Sequence, residues 1–218
     1  WARAFDYLDP SETEPAIPGV TGSRLTRTVL GAGTAAAQIE TYLHDPHGNM
    51  LHMPHLGGNP GAANLHWDYR DQLRQIDKGG GGRVFYVCDA AGNRVRKVWE
   101  KSPGLTEERI YLGPVEIFRR YGGAGGGDLR FERETLHVMD DAQRIAMIET
   151  RTHDAAGTDP APRQMSRYQH SNLVGSACLE LDERAQIISY EEYSPFGSST
   201  YQAVRSQTDT QKRYRFTG

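Results

Sequence analysis

The sequence lacks the features that define several common classes of protein. Its 2 cysteines in 218 residues are too few for a disulfide framework, and two free thiols are favoured over one Cys88–Cys178 pair. Its apolar runs are far shorter than the roughly 20 residues that cross a bilayer. No signal peptide is visible, and we expect the chain to be an excerpt, because Trp1 and Gly218 interrupt its pattern. The net charge of −3 and the dispersed basic residues argue against nucleic-acid binding.

Helical periodicity is also missing, since no segment combines a sustained 3.6-residue repeat of apolar residues with capping signals. Only 37% of the residues are hydrophobic, yet 11 Tyr, 6 Phe and 3 Trp are too many for a disordered chain. A single-layer sheet wetted on both faces reconciles these facts. We expect its stability to come from strand pairing and cross-strand side-chain pairs more than from a deep core.

A short turn motif recurs between strand-like segments. Asp89-Ala-Ala-Gly92-Asn93 separates residues that favour strands, and Asp45-x-x-Gly48-Asn49 has the same spacing. Asp at the head of a turn accepts hydrogen bonds from nearby backbone amides, and Gly supplies a positive φ. The motif therefore predicts β-hairpins closed by a type I turn and a left-handed Gly, with Asp89 bonded to the amides of its own turn.

Looser copies of the motif follow the same frame. They begin at Asp68, Asp140 and Asp182, with Asp71, Gln143 and Ala185 in the Gly position. The five Asp residues are 23, 21, 51 and 42 positions apart. A positive φ costs Gln or Ala about 1–2 kcal/mol, so we expect another turn shape at Asp140 and Asp182. The internal repetition predicts an all-β fold of antiparallel hairpin repeats.

The predicted organisation has two parts. Residues 1–38 form a loop-rich N-terminal segment with a first strand at 24–30, and residues 39–218 form the repeat region. Further strands are predicted at 39–44, 50–54, 66–77, 83–88, 93–100, 108–112, 115–121, 129–139, 143–152, 167–170, 177–181 and 186–193. The Gly runs at 79–82 and 122–127 lead into strand-like residues, so they are read as connections and not as phosphate-binding loops.

No group of residues indicates catalysis or metal binding. Among His44, His47, His52 and His55, the last two would point to opposite faces of a strand, which disfavours a zinc site. The pairs Asp140-Asp141 and Glu191-Glu192 are sequence neighbours, so within strands their carboxylates would also face apart. Ser194 is not in a nucleophile elbow, and Asp89 beside Cys88 does not favour a thiolate. We therefore expect no enzyme activity, no cofactor and no metal.

These motifs resemble a known family. The Tyr-x-x-Asp-x-x-Gly-Asn units resemble the YD repeats of Rhs proteins, and YQHSNLVGSACLELD at 168–182 is similar to a segment specific to that family. YSPFG at 193–197 resembles the close of that segment, and KRYRFTG at 212–218 resembles the start of the Rhs-associated core. The resemblance covers residues 24–218 and is strongest to the bacterial branch that includes the C component of insecticidal toxin complexes. The family-specific positions are His170, Gly175, Ser176, Tyr193, Pro195, Phe196 and Gly197.

The resemblance implies a spiralling single-layer β-shell that encloses a C-terminal toxin, secreted or delivered outside the cell as part of a larger bacterial protein. The implied partners are the rest of the shell, the core domain, the toxin and a B-type component of the complex. The family's self-cleaving aspartates belong to the core, so no catalytic residue is carried over. An extracellular YD-repeat adhesion or recognition module is the alternative.

Strand edges lead to a further expectation. A piece of such a shell would leave some strands without neighbours, and exposed edges seek partners. We expect self-association, with residues 84–87, 145–148 and 187–188 near the open edges.

Overall fold

The chain folds almost entirely into antiparallel strands and short turns. A computed structural model describes residues 3–10, 17–31, 33, 37–141, 143–173, 175–193 and 199–204. Its packing divides the chain into two compact units, Trp1–Pro103 and Gly104–Gly218. The boundary predicted between residues 38 and 39 stays a prediction.

The first unit contains nine described strands in three antiparallel groups. One group has the order β1-β2-β3, the second pairs β4 with β5, and the third has the order β6-β7-β8-β9. Two single 3₁₀ turns, Pro54–Leu56 and Gly79–Gly81, lie between strands. The strands are β1 (Arg3–Asp6), β2 (Arg27–Leu30), β3 (Gln38–Thr41), β4 (Leu43–His44), β5 (Met50–His52), β6 (Leu65–Trp67), β7 (Leu73–Asp77), β8 (Arg83–Cys88) and β9 (Arg94–Ser102).

The second unit is a succession of hairpins in which each strand pairs with the next one along the chain. Its longest strands, β12 and β13, pair over most of their length and carry the centre of the sheet. The strands are β10 (Leu105–Leu112), β11 (Val115–Gly122), β12 (Asp128–Asp140), β13 (Gln143–Asp154), β14 (Gln164–Ser171), β15 (Ala177–Leu181), β16 (Ile187–Tyr193) and β17 (Ser199–Val204).

The strand predictions hold in outline and fail in detail. Strands were expected over 83–88 and 177–181, and β8 and β15 have these bounds. The predicted strand at 66–77 is instead a hairpin, because the turn headed by Asp68 divides it into β6 and β7. Strands β1 and β17 were missed, since both are short and β17 is polar for most of its length.

The interior is more polar than the sequence suggested. Among the described residues, buried polar and charged side chains outnumber buried hydrophobic ones. Glu180, Glu191 and Arg167 are at most 2% exposed, and hydrophobic burial centres on residues such as Phe118 and Ile188. The expectation of a sheet wetted on both faces is therefore wrong for the second unit, where one face excludes water from its charges.

The edge strands also differ from those expected. Residues 84–87, 145–148 and 187–188 lie in β8, β13 and β16, each of which has a paired strand on both sides. Among the described strands, β6 begins the third group of the first unit and β17 ends the succession of the second unit. The apolar stretches were placed at edges because hydrophobicity alone does not distinguish a central strand from an outer one.

Candidate functional site

Five turns in the described residues share one hydrogen-bond pattern. They begin at Asp45, Asp68, Asp89, Asn172 and Asp182, and we call them the corner turns. In each, the first residue's amide donates to the carbonyl four residues on at 2.9 Å, and its carbonyl accepts from the amide three residues on at 3.0–3.1 Å. Its side-chain Oδ1 also accepts from the amide four residues on at 2.8–3.1 Å. Each loop is thus closed by its own first side chain.

The Asp89 turn shows the predicted geometry. Gly92 has φ +88, and Oδ1 of Asp89 accepts from the amides of Ala91 at 2.9 Å and Asn93 at 2.8 Å. The side-chain hydrogen bond from Asn93 is the main reason that the pKa of Asp89 is lowered. The Asp45 turn matches it, with Gly48 at φ +95 and Asn49 donating to Asp45 through its amide and its side chain.

One expectation for the degenerate copies was wrong. The Asp182 turn has the same shape as the others, because Ala185 adopts φ +56 despite its Cβ. Asp140 does differ, since it ends β12 and pairs with Gln143 across a tighter turn in which Asp141 has φ +49. The Asn172 turn, with Gly175 at φ +83, was missed. Its signal, Asn-x-x-Gly-Ser, was visible once Asn was allowed in place of Asp.

A β-bulge accompanies every corner turn. The strand register shifts by one residue just before the turn, between Val87 and Cys88 in the Asp89 hairpin. The other four shifts occupy the same place, at 43/44, 66/67, 170/171 and 180/181. A left-handed residue in the turn, combined with such a register shift, increases the local twist of the hairpin.

Substitutions at the left-handed position of two corner turns should change stability in opposite directions. Gly92→Ala is expected to destabilise the chain by about 1–2 kcal/mol, because L-residues resist positive φ; the new Cβ would also lie 3.3 Å from Nε2 of Gln72. Ala185→Gly is expected to stabilise it, since that alanine already bears the strain. Urea unfolding of both variants provides the measurement. A loss of stability in both would show that the Asp182 turn is not strained.

Two of the family-specific positions meet at the Asn172 turn. Ser176 is fully buried at the end of the Asn172 turn, and its amide bonds to Oδ1 of Asn172 at 3.0 Å. Tyr193 reaches back to the same place, because its hydroxyl donates to the Ala177 carbonyl at 3.0 Å. His170 lies exposed on β14. Pro195, Phe196 and Gly197 lie outside the described residues.

A ladder of alternating charge crosses the buried face of the second unit. Each of the strands β10 to β15 contributes one side chain, and the signs alternate from strand to strand. Arg167 joins its two neighbours, with Nε 2.9 Å from Glu149 Oε2 and a terminal nitrogen 3.1 Å from Glu180 Oε2. The members of this charge ladder are Arg109, Glu116, Arg133, Glu149, Arg167 and Glu180.

The charge ladder is completed by polar neighbours and aromatic rings. Glu180 also accepts from Ser189 Oγ at 2.7 Å and from Gln169 Nε2 at 2.9 Å. The Arg109 guanidinium lies 4.8 Å from the Phe118 ring centroid, a distance at which cations attract aromatic faces. A buried charge is costly unless it is paired and hydrogen-bonded. Because the ladder pairs its charges, this face excludes water without a large hydrophobic core.

The opposite face carries a row of mostly apolar, partly exposed side chains along β12 to β16. One residue from each of five strands lies in a directly paired row: Val138, Ala146, Tyr168, Leu181 and Ile187. Tyr168 is 47% exposed and Ile187 53%. Val138, Ala146, Tyr168 and Leu181 of this row line a shallow groove of about 840 Å³. The sheet of the second unit therefore has two chemically distinct faces.

The histidines do not converge. His52 is buried in β5 and bonds through Nδ1 to the Ala62 carbonyl at 2.8 Å, whereas His55 is exposed in a 3₁₀ turn. His47 pairs with Asp71. Within the described part of the chain, no group of three or more His, Cys, Asp or Glu residues is placed to hold a metal ion.

The acidic pairs and the cysteines are separated as well. Glu191 is buried with its Oε2 3.1 Å from the Tyr193 hydroxyl oxygen, whereas Glu192 is exposed on the other face. Asp140 and Asp141 are both exposed at a turn. Cys88 and Cys178 are free thiols.

Similar proteins and structures place these features in a wider context. No family model matches the chain. It is 30% identical over 166 residues to the toxin subunit YenC1 of Yersinia entomophaga, and 26% identical over 168 residues to YenC2 of the same organism. These alignments cover 73% and 72% of this chain but only 17% of each relative. The chain thus spans about a sixth of the length of the curated relatives it matches.

Solved structures give the same fold. The crystal structure of TcdB2-TccC3 without its hypervariable C-terminal region matches 98% of this chain and 10% of that chain, with a TM-score of 0.64 and 22% identity. The Photorhabdus luminescens Tc holotoxin pore carrying TccC3-D651A matches with the same TM-score, identity and coverage.

Recurrent corner turns, nearest-neighbour hairpins and these matches define an all-β Rhs-type shell segment, as the sequence predicted. With the two Yersinia relatives, they identify the family. The chain belongs to the Rhs-repeat proteins, in the branch of the C components of toxin complexes.

Proposed function

We propose that this chain is a non-catalytic wall segment of an Rhs shell that encloses a C-terminal toxin polypeptide. The observation that carries the proposal is the two-faced sheet of the second unit. A charge ladder closes one face to water, and the other presents one in-register row of mostly apolar side chains. Such a wall offers apolar, partly exposed side chains to an enclosed polypeptide on one face, while its charges are kept from water on the other. The toxin subunits among its relatives support this reading over an adhesion module.

The absence of catalysis is part of the same proposal. It is supported by the separation of the histidines and acidic pairs, whose side chains are engaged in turns, strands or the interior. No cofactor is proposed. The described part of the chain also contains no helix with the length and apolar character needed to cross a membrane. We propose delivery outside the cell as part of a larger bacterial toxin.

Protease protection tests enclosure directly. The experiment uses the protein that contains this chain together with the toxin polypeptide that follows it. We expect the toxin to resist proteolysis in the parent and to become sensitive when Arg167→Leu opens the wall. Arg130→Leu alters an exposed ion pair and serves as the matched control. If the toxin were cleaved as fast in the parent as in Arg167→Leu, the proposal would be overturned.

The proposed partners are the rest of the shell, the core domain, the toxin and a B-type component. The similarity to TcdB2-TccC3 assemblies supports association with other components of a toxin complex. Contacts with the remainder of the shell would continue the strand order beyond its present ends. We therefore expect the separate chain to have open edges.

Self-association through β17 is the expected consequence. Light scattering at tens of micromolar should detect dimers or larger species, because β17 is the last strand in the order and Tyr201 on it is 54% exposed. Tyr201→Lys should shift the chain towards monomer, since an edge charge opposes strand addition. Val87→Lys places the same charge on β8, which is paired on both sides, and should not. A monomer in the parent would contradict the open-edge picture.

A further inference from the structure

The first three corner turns are linked to one another. Asn49 of the Asp45 turn donates through Nδ2 to Oδ1 of Asp71 in the Asp68 turn at 2.7 Å. His47 Nδ1 lies 2.9 Å from the same oxygen. Arg70 continues the series by reaching the Ala90 carbonyl of the Asp89 turn at 3.5 Å. One carboxylate oxygen therefore joins two groups of the preceding turn.

Asp71 occupies a position where the backbone favours glycine. It has φ +57, and the equivalent positions of the neighbouring turns hold Gly48 and Gly92. A non-glycine residue there bears strain, although Asp and Asn tolerate it better than most. A glycine would remove the strain and also the link to His47 and Asn49. The strained residue is thus accompanied by a contact that no glycine can make.

We propose that His47, Asn49 and Asp71 form a pH-dependent clasp between the first two corner turns, fastened when the His47 imidazole is protonated. Asp45 is the other charged group of its turn near His47, and its carboxylate holds Asn49 from the opposite side at 2.9 Å. Arg24 approaches the same turn and donates to the carbonyls of Asp45 and Pro46 at 3.1 and 3.0 Å. The carboxylates of Asp71 and Asp45 would thus both act on the imidazolium.

The charges around His47 determine whether the clasp is stronger at low or at high pH. The hydrogen bond to Asp71 raises the pKa of His47 above its ordinary value of 6.5, and the charges of Asp71 and Asp45 add to the effect. A raised pKa means that the stabilisation is complete below the unfolded-state pKa. It is lost as the pH rises through the folded-state pKa. The clasp loosens above neutrality but is not abolished, because the Asn49–Asp71 hydrogen bond does not depend on that proton.

Histidine side-chain NMR on the 218-residue chain tests the charge pair. His47→Gln identifies the signal of His47 by its disappearance. We expect the folded chain to titrate at a higher pH than the same histidine in urea, and Asp71→Asn to lower that midpoint. Asn keeps the shape and tolerates the left-handed backbone. Ala185→Gly changes the same turn position elsewhere and should leave the midpoint unchanged.

Two further measurements test the proposal even if Asp71→Asn does not fold. Raising the salt concentration to about 1 M should lower the midpoint in the parent, because these exposed charges are screened. The amides of Gly48 and Asp71, which close the two turns, should lose exchange protection between about pH 5.5 and 8 in the parent but not in His47→Gln. A midpoint no higher than in urea, or protection independent of pH, would overturn the clasp.

Discussion

Replacing Arg167 with leucine is expected to destabilise the chain by about 3–5 kcal/mol, because it leaves buried carboxylates without their shared cation. The Arg167 side chain is 2% exposed, and those of its partners Glu149 and Glu180 are 5% and 0% exposed. Leucine fills part of the space but offers no donor. Urea unfolding followed by circular dichroism gives the change in the free energy of unfolding.

The control for Arg167→Leu is the same substitution at an exposed ion pair. Arg130 lies 3.0 Å from Asp128, with side chains 51% and 69% exposed, so Arg130→Leu should cost only about 0–1 kcal/mol. A triple change of Glu149, Arg167 and Glu180 to methionine should cost less than Arg167→Leu alone, since removing a whole buried network avoids unpaired charge. Equal losses for Arg167→Leu and Arg130→Leu would mean that the ladder does not exclude water.

Gly82→Ala is expected to disrupt the β8–β9 hairpin. Gly82 has φ +81, and an added Cβ would lie 1.9 Å from the Glu100 carbonyl oxygen. That contact is with backbone, so no side-chain rotation relieves it. The left-handed strain of about 1–2 kcal/mol and an overpacking cost of about 1–3 kcal/mol both oppose folding. The loss should appear as a lower urea midpoint.

Gly80 provides the matched comparison in the same run of glycines. It has no positive φ, and a Cβ there would meet nothing within 4 Å. Gly80→Ala should therefore leave stability nearly unchanged. If both variants behaved alike, the run at 79–82 would be the flexible connection that the sequence suggested, and not the defined 3₁₀ turn of the structure.

The turns headed by Asp and closed by Gly were the features predicted best from this sequence. Asp89 and Gly92 could be placed from their spacing, because an Asx turn followed by a left-handed glycine depends on few residues. Ala185 and Asn172 could not, for two physical reasons. The Asp182 turn bears a strained alanine that propensity argues against, and asparagine closes the Asn172 turn with the same Oδ1 that aspartate offers.

The charge ladder could not be predicted from the sequence, for a different reason. Glutamate and arginine are usually solvent-exposed, so nothing in the sequence marked Glu149, Arg167 and Glu180 as buried. Their burial depends on register, since it decides which residues of three successive strands lie side by side on one face. Pairing register between separate hairpins is not encoded in any one segment. The faces of the sheet therefore became clear only with the strands in place.

The pairing order of the second unit has a consequence for how the chain is made. Each strand from β11 to β17 pairs with the strand that the ribosome produced just before it. A nascent chain that ends after β13 already contains every partner that β10 to β12 use within this unit. Contacts between sequence neighbours form quickly, and domains tend to fold as they emerge. We therefore expect this wall to grow during translation, one hairpin at a time, with each new strand added to an existing template.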